Sequence, residues 1–433
     1  MTRKLIDAVI YSVLFVALYI HNKLFSHMVN NGLVLGSNTI LTPTMVTREA
    51  LRILHQKLNF IGSINRQYDD SFAKDGARIG STLNIRLPNE YTVSSGAALS
   101  TQTTTELSTS LVVSNQKHVD TTFTSAELTL SLDDFSDRIL EPAMSVLAAN
   151  IEADALSMAL DVYQVVNNIG AAITLNKVLT GRKLLTDALA PSSQRTCLLN
   201  TQDNLDLVDA LKGLFQDSDE IAKQYREGMV GRSGGFDFYE NTLIANQTTG
   251  TALSATTYTV NGAVTTNGST TVTVATGATT FKKGDVFTVA GCNRVHPETK
   301  VDTGVLQQFV VTADYAGGAG NLSFAPAIYT TTGRQNVTAG GMPNGNAITK
   351  VGGASAVYKP SLAYHRDAFT FATADLEDVS KYGAWGAREV MDGISMRVAR
   401  QYAIGTDTVP CRIDVLYGYK TIRAQLAARI LSN

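Results

Sequence analysis

Residues 140–165 read Leu140-EPAMSVLAANIEADALSMALDVYQ-Val165, and this stretch decides the fold. Its apolar residues Leu140, Met144, Leu147, Ile151, Ala155, Met158, Val162 and Val165 recur at steps of three and four. That spacing puts them on one stripe of a helix. Glu152, Asp154, Asp161 and Gln164 fall off the stripe. Pro142 lacks an N–H and so belongs in the first turn. Asn167, Asn168 and Gly170 supply a stop. About 26 residues at 1.5 Å each predict a rod of roughly 39 Å. That is twice the usual helix length, and it suits the spine of an elongated subunit better than a compact enzyme.

On the N-terminal side, residues 42–58 read as a second helix, with Thr42 as N-cap, Pro43 in the first turn and Val46, Ala50, Ile53, Leu54 and Leu58 at helical spacing. Residues 60–125 are broken by Gly62, Gly76, Gly80, Pro88 and Gly96. Thr82–Leu87 and Leu107–Val113 alternate like strands. The tract from Thr92 to Ser110 is mostly Ser, Thr, Ala and Gly, with Glu106 its one charge. It predicts a long, weakly anchored β-hairpin projecting from the body. On the C-terminal side, Arg195–Asn200 reads as a short buried strand. Helices are expected near 203–215 and 219–227, and residues 231–245 read as turn then strand. Residues 250–341 hold 20 threonines and nine charged residues among 92. Strand-like runs there are separated by Gly, Asn and Pro, which predicts an all-β barrel or sandwich inserted between helix-containing flanks. Residues 356–372, 388–404 and 411–417 read as strands, and Arg423–Ile430 as a closing helix.

The whole chain has 433 residues, enough for two to four folding units. Its charged share, 17%, is too low for a disordered chain, given 44% hydrophobic residues. Fifty threonines favour β-structure. Lys+Arg 36 against Asp+Glu 38 leaves a net charge of −2. Without a basic surplus the chain is not expected to grip free nucleic acid through its phosphates. Cys197, Cys292 and Cys411 are sparse, odd in number and far apart, which argues against a disulfide framework or a structural zinc site. Residues 1–37 form an apolar extension, with Arg3 and Lys4 ahead of an apolar run of about 16 residues, short of the roughly 20 that span a bilayer. A secretory signal or anchor, a packed helix and a non-native extension compete here. The last is preferred because a globular pattern begins only near Asn38.

Motifs for chemistry are sparse. Gly231-Arg232-Ser233-Gly234-Gly235 has the letters of a nucleophile elbow, but that device needs a strand before it and a helix after it. A glycine-rich turn is the expectation. There is no phosphate-binding G-x-x-x-x-G-K-[ST], no HExxH and no EF-hand loop. Asp133-Asp134 and Asp217, Asp219 and Glu220 sit at expected helix starts, where the helix dipole accounts for acids without catalysis. No catalytic residue, cofactor or metal site is predicted, and the chain is read as a non-enzyme. Four Asn-x-Ser/Thr sequons, at Asn246, Asn267, Asn321 and Asn336, are expected by chance in so threonine-rich a sequence.

The order of these elements resembles the major capsid (coat) proteins of tailed bacteriophages, which share the Hong Kong 97 fold. The branch it resembles is the podovirus coat proteins with an inserted telokin-like, immunoglobulin-like domain. The resemblance is carried by Leu147–Glu152, by Arg195–Asp203 and by Tyr225–Phe238 with its Gly235-Phe236-Asp237. Phe281-Lys282-Lys283-Gly284-Asp285-Val286-Phe287-Thr288-Val289-Ala290-Gly291 and Cys411–Gly418 complete it. It runs patchily from about 40 to 430. It implies an α+β subunit with an N-arm (38–60), an E-loop (61–130), a P-domain with spine helix (131–189), an A-domain (190–249), an inserted β-barrel (250–342) and a returning A/P segment (343–433). It implies a shell of hexamers and pentamers of this chain around double-stranded DNA, with scaffolding and portal proteins as further partners. Assembly is expected in the bacterial host cytoplasm, and the mature virion role involves no membrane. In the family a charged loop of the inserted domain can touch a neighbouring capsomer. Its counterpart here, Asn261–Gly268, carries no charge. Candidate inter-subunit contacts are therefore Arg294, Glu298 and Lys300, with Arg78, Arg86 and Glu90 in the E-loop. Hinges are expected at Gly76–Gly80 and near Gly170. The rival reading is a secreted or surface-anchored adhesion protein that uses the β unit as a binding module.

Overall fold

The computed structural model describes residues 43–66, 81–99, 101–102, 106–122, 136–211, 231–253, 258–275, 277–377, 379–383, 385–391, 394–402 and 410–432. The expected second helix at 219–227, Gly76–Gly80, Asp133-Asp134 and the N-terminal extension lie outside these residues.

The spine stripe is buried along its whole length, from Leu140 at 0% exposure to Val165 at 4%. The rod itself is shorter than predicted. The α-helix covers Glu141–Leu156, with Pro142 in its first turn, preceded by a π turn at Ser136–Leu140 and followed by a 3-10 turn at Ser157–Asp161. Val162 is already extended (φ −78°, ψ 118°), and Val165–Asn167 is a strand. β-Branched valines at 162, 165 and 166 tolerate that backbone well. They stay on the buried side because Val165–Asn167 pairs in parallel with Arg429–Leu431. The arm helix, Pro43–Lys57, matches its prediction. It lies against the spine and buries Val46, Ala50, Ile53 and Leu54.

A seven-stranded mixed sheet forms the centre. Its order is Val165–Asn167, Ala427–Ser432, Val357–His365, Arg195–Leu199, Phe236–Glu240 and Arg232–Ser233, with Gln247–Thr248 beside the start of Val357–His365. Every residue of Arg195–Leu199 and of Ala427–Ser432 is buried. The expected closing helix is thus a 3-10 turn, Ala424–Leu426, followed by a strand. Gln, Leu, Ala and Arg favour a helix locally. Two waiting strand edges override that preference, with Ser361 opposite Ile430 on one side and Val166 on the other. A helix not anticipated from sequence, Leu175–Asp187, packs across this sheet, with Gly181 facing Ile430 and Ala363. Thr201–Leu211 is helical as expected.

The expected strand at 356–372 is two strands in two sheets. Val357–His365 ends at the 3-10 turn Arg366–Ala368, and Phe369–Ala374 enters a second, five-stranded sheet. Residues 388–404 are likewise resolved into the hairpin Trp385–Met391 and Ile394–Arg400. The long strand Pro410–Thr421 organises this sheet. It pairs with Ile394–Arg400 and Phe369–Ala374 along one edge and with Asn115–Thr122 along the other. Tyr417 opposite Asn115 therefore stitches together segments about 300 residues apart.

Residues 258–350 carry a separate core built on Phe287, Phe309 and Phe324, whose rings lie 5.1–6.1 Å apart. Six strands run in the order Ser269–Val274, Gly320–Ile328, Asp302–Val311, Val286–Val295, Ala347–Lys350 and Tyr258–Thr259. The two ends of this order meet. Asn261 N–H donates to Thr273 O, Ala275 N–H donates to Thr259 O, and Val260 bridges Val274. Closure removes the exposed edges such a threonine-rich sheet would otherwise present.

Candidate functional site

The hairpin has a firm base, and several apolar residues beyond it are exposed. Ser81–Leu87 pairs antiparallel with Leu107–Val113, Ser81 opposite Val113 and Leu87 opposite Leu107. Ile85, Leu111 and Val113 are buried against Ala372, Ala374 and Leu416 of the five-stranded sheet. Gly418 permits this contact, because a Cβ there would lie 2.3 Å from Val112 O. Beyond the base, Tyr91, Val93 and Leu99 are 56%, 94% and 92% exposed. Such apolar groups are left largely unburied by the single subunit.

The spine carries a second feature that its sequence concealed. Glu152 falls off the apolar stripe in sequence, yet it is 1% exposed. Its Oε1 accepts the Phe60 N–H at 3.1 Å and a hydrogen bond from Asn241 Nδ2. One carboxyl thus ties the short arm helix Asn59–Ser63, the spine and the turn after Phe236–Glu240. Burial raises its pKa, against the lowering effect of the Phe60, Asn241 and Asn59 donors. A cleft of about 390 Å³ opens beside it, lined by Lys57, Ser145, Ala149, Glu240 and Thr242 among others. No sequence pattern announces this arrangement, since the three segments meet only in the fold.

The other predicted residues scatter. Arg78 lies outside the described residues. Arg86 is 80% exposed at the side chain and 3.5 Å from Glu106. Arg294 is committed within the chain, its Nη2 lying 3.0 Å from Asp187 Oδ2 at the end of Leu175–Asp187. Glu90 and Lys300 come together. The Glu90 backbone lies against Gly333, and its charge acts on Lys300. Burial lowers the Lys300 pKa, Glu90 opposes it, and Nζ donates to Gln335 O. Glu298 is exposed in the turn before Lys300, its N–H directed at His296 Nδ1.

Ser233 ends the two-residue strand Arg232–Ser233. Gly234 and Gly235 turn the chain at φ +56° and +85°, and Phe236–Glu240 returns beside it. This is the predicted glycine-rich hairpin turn, not a strand–turn–helix elbow. Among the described residues no group of three or more His, Cys, Asp or Glu is placed to hold a metal ion. All three cysteines are buried thiols; burial pushes Cys292 and Cys411 up to about 12, and Cys197 higher still.

A family model described as "P22 coat protein - gene protein 5" matches residues 73–429. The chain belongs to the P22 coat protein family. It is a phage major capsid protein, a constituent of the virion capsid. No curated protein matches it. Among solved structures it is similar to one from Mycobacterium phage Che8, at 12% identity over 86% of this chain and 90% of that one, with TM-score 0.45. The capsid of cyanophage P-SCSP1u is similar at 10% identity over 83% and 85%, TM-score 0.39. The mature capsid of bacteriophage PhiM1 is similar at 8% identity over 84% of each chain, TM-score 0.38. The assignment of this coat-family member rests on the family match rather than on these likenesses. The adhesion reading finds no support in that match.

Proposed function

We propose that this chain is a non-enzymatic, shell-forming subunit of the Hong Kong 97 type, whose copies associate into hexamers and pentamers enclosing double-stranded DNA. The family match over residues 73–429 carries the reading. The exposed apolar hairpin tip supports it, since Val93 and Leu99 are nearly fully solvated in a single subunit. In this reading residues 38–60 are the N-arm, 61–130 the E-loop, 131–189 the P-domain, and 190–249 with 343–433 the A-domain and its return. Residues 250–342 are the inserted barrel. Scaffolding and portal proteins are the further partners, and assembly takes place in the host cytoplasm. Arg78, Arg86, Glu90, Glu298 and Lys300 are proposed inter-subunit contacts. Arg294 has the weakest case, being engaged with Asp187.

The test is co-expression of the full chain with a scaffolding protein, followed by electron microscopy. Closed shells are expected. Monomers or small closed oligomers under every condition would refute the reading. A paired Val93→Asp and Leu99→Asp variant should abolish shells while leaving the subunit's melting temperature within about 1 °C, because surface substitutions cost little stability.

A further inference from the structure

Three buried ions meet where the barrel joins the body. Asp285, Lys350 and Arg429 are 4%, 1% and 0% exposed. Arg429, on the last strand of the body, donates Nε to Val162 O at 3.0 Å and Nη2 to Gly284 O at 2.8 Å. The first carbonyl belongs to the end of the spine, the second to a barrel turn. Asp285, in that same turn, accepts the Gly250 N–H at 2.9 Å, and Lys350 Nζ donates to Gly250 O and Gly353 O. The crossing at 250 is thereby pinned to that turn, and the crossing at 350 is pinned to Gly250 and, through the Val351 N–H, to Val286 O at 2.7 Å. Gln308 adds a further clasp: its Oε1 accepts the Val165 N–H at 2.7 Å and its Nε2 donates to Val165 O. Val165, Val286, Val310, Tyr358 and Leu431 close an apolar layer around these groups. Gly284, at φ +92°, brings the turn so near the spine that a Cβ would lie 2.8 Å from Leu160 Cδ2.

We propose that this buried charged junction makes the barrel and the body one rigid unit. The physical reason is the shape of the energy well. A displacement of about 1 Å takes the 2.8 Å bond from Arg429 to Gly284 O out of hydrogen-bonding range. The cation then loses a partner without gaining solvent. Among the described residues the two crossings do not run as a pair of free linkers: the Gly250 N–H donates to Asp285 and the Val351 N–H to Val286 O. Excision of 250–342 accordingly removes a partner of Arg429 and uncovers Val165, Tyr358 and Leu431, so the remainder is expected to lose cooperative unfolding.

Residue-resolved hydrogen exchange on the full chain tests the proposal independently of shell formation. The Val165 amide, held by Gln308 across the junction, reports undocking. Phe281, bonded to Tyr315 O, reports opening of the barrel, and Phe371, bonded to Asn65 O, reports the body. Rigid coupling predicts that Val165 exchanges no more than about threefold faster than the slower of the other two. A Val165 amide tenfold or more faster than both would overturn it. In Arg429→Met, Val165 exchange should rise about a hundredfold relative to Phe281. Should that variant not fold, Asp285→Asn keeps the acceptor for Gly250 and should raise the same ratio about tenfold. An unchanged ratio in the variant that folds would refute the role of the buried charges.

Discussion

Replacing Glu152 tests how the arm is held to the spine. In Glu152→Ala the Phe60 N–H and Asn241 Nδ2 lose a shared, charged acceptor inside the protein. Hydrogen bonds to a charged group contribute about 1.5–3 kcal/mol each, and part is offset because a buried carboxylate no longer has to be desolvated. The net expected loss is about 2–4 kcal/mol. Over 433 residues, at about 2.1 cal/mol/K each, that lowers the melting temperature by about 2–4 °C. Glu152→Gln keeps an acceptor and removes the charge, so it should cost under about 1 kcal/mol. pH separates the two effects. Because burial raises the folded pKa of Glu152 above its ordinary 4.5, its stabilising contribution is complete below 4.5 and is lost as pH rises through the folded value. Calorimetry of both variants across that window is the assay. Relative to Glu152→Gln, the wild type should weaken as pH rises above about 4.5. A difference that stays flat, or grows with pH, would refute the claim that burial dominates over the donors.

Arg397→Ala should cost about 3–5 kcal/mol in urea unfolding, because it leaves the fully buried Asp414 without its two-bond partner; a cost below 1 kcal/mol would mean that Gln116, at 2.9 Å, suffices. Gly418→Ala should loosen the hairpin base, the new Cβ displacing Val112 at a cost of about 1–3 kcal/mol, read as faster proteolysis within 81–113. His365 works in the opposite sense to Glu152. Its Nδ1 accepts the Asp367 N–H and burial lowers its pKa below 6.5, so the fold should lose stability as pH falls through 6.5 towards the folded value. His365→Gln should remove that part of the pH dependence.

The capsid-type architecture was legible in sequence where it depends on local order: the apolar stripe from Leu140 to Val165, the arm helix behind Pro43, the glycine-punctuated hairpin and the threonine-rich run of strands. Each follows from periodicity or composition within a short window, and the stripe is correctly buried even where the helix gives out. Tertiary structure alone decided the rest. Ala427–Ser432 is a strand because Val357–His365 and Val165–Asn167 present edges to it, not because its residues prefer one. Nothing local marks Glu152 or Arg429 for burial: Glu152 falls off the apolar stripe, and Arg429 lies in the stretch expected to close as a helix. They are buried because their hydrogen-bond partners, Phe60 and Asn241 for one and Val162 and Gly284 for the other, come from segments roughly 90 to 270 residues away. Propensity acts over a few residues, whereas desolvation and strand pairing depend on what the whole chain brings together.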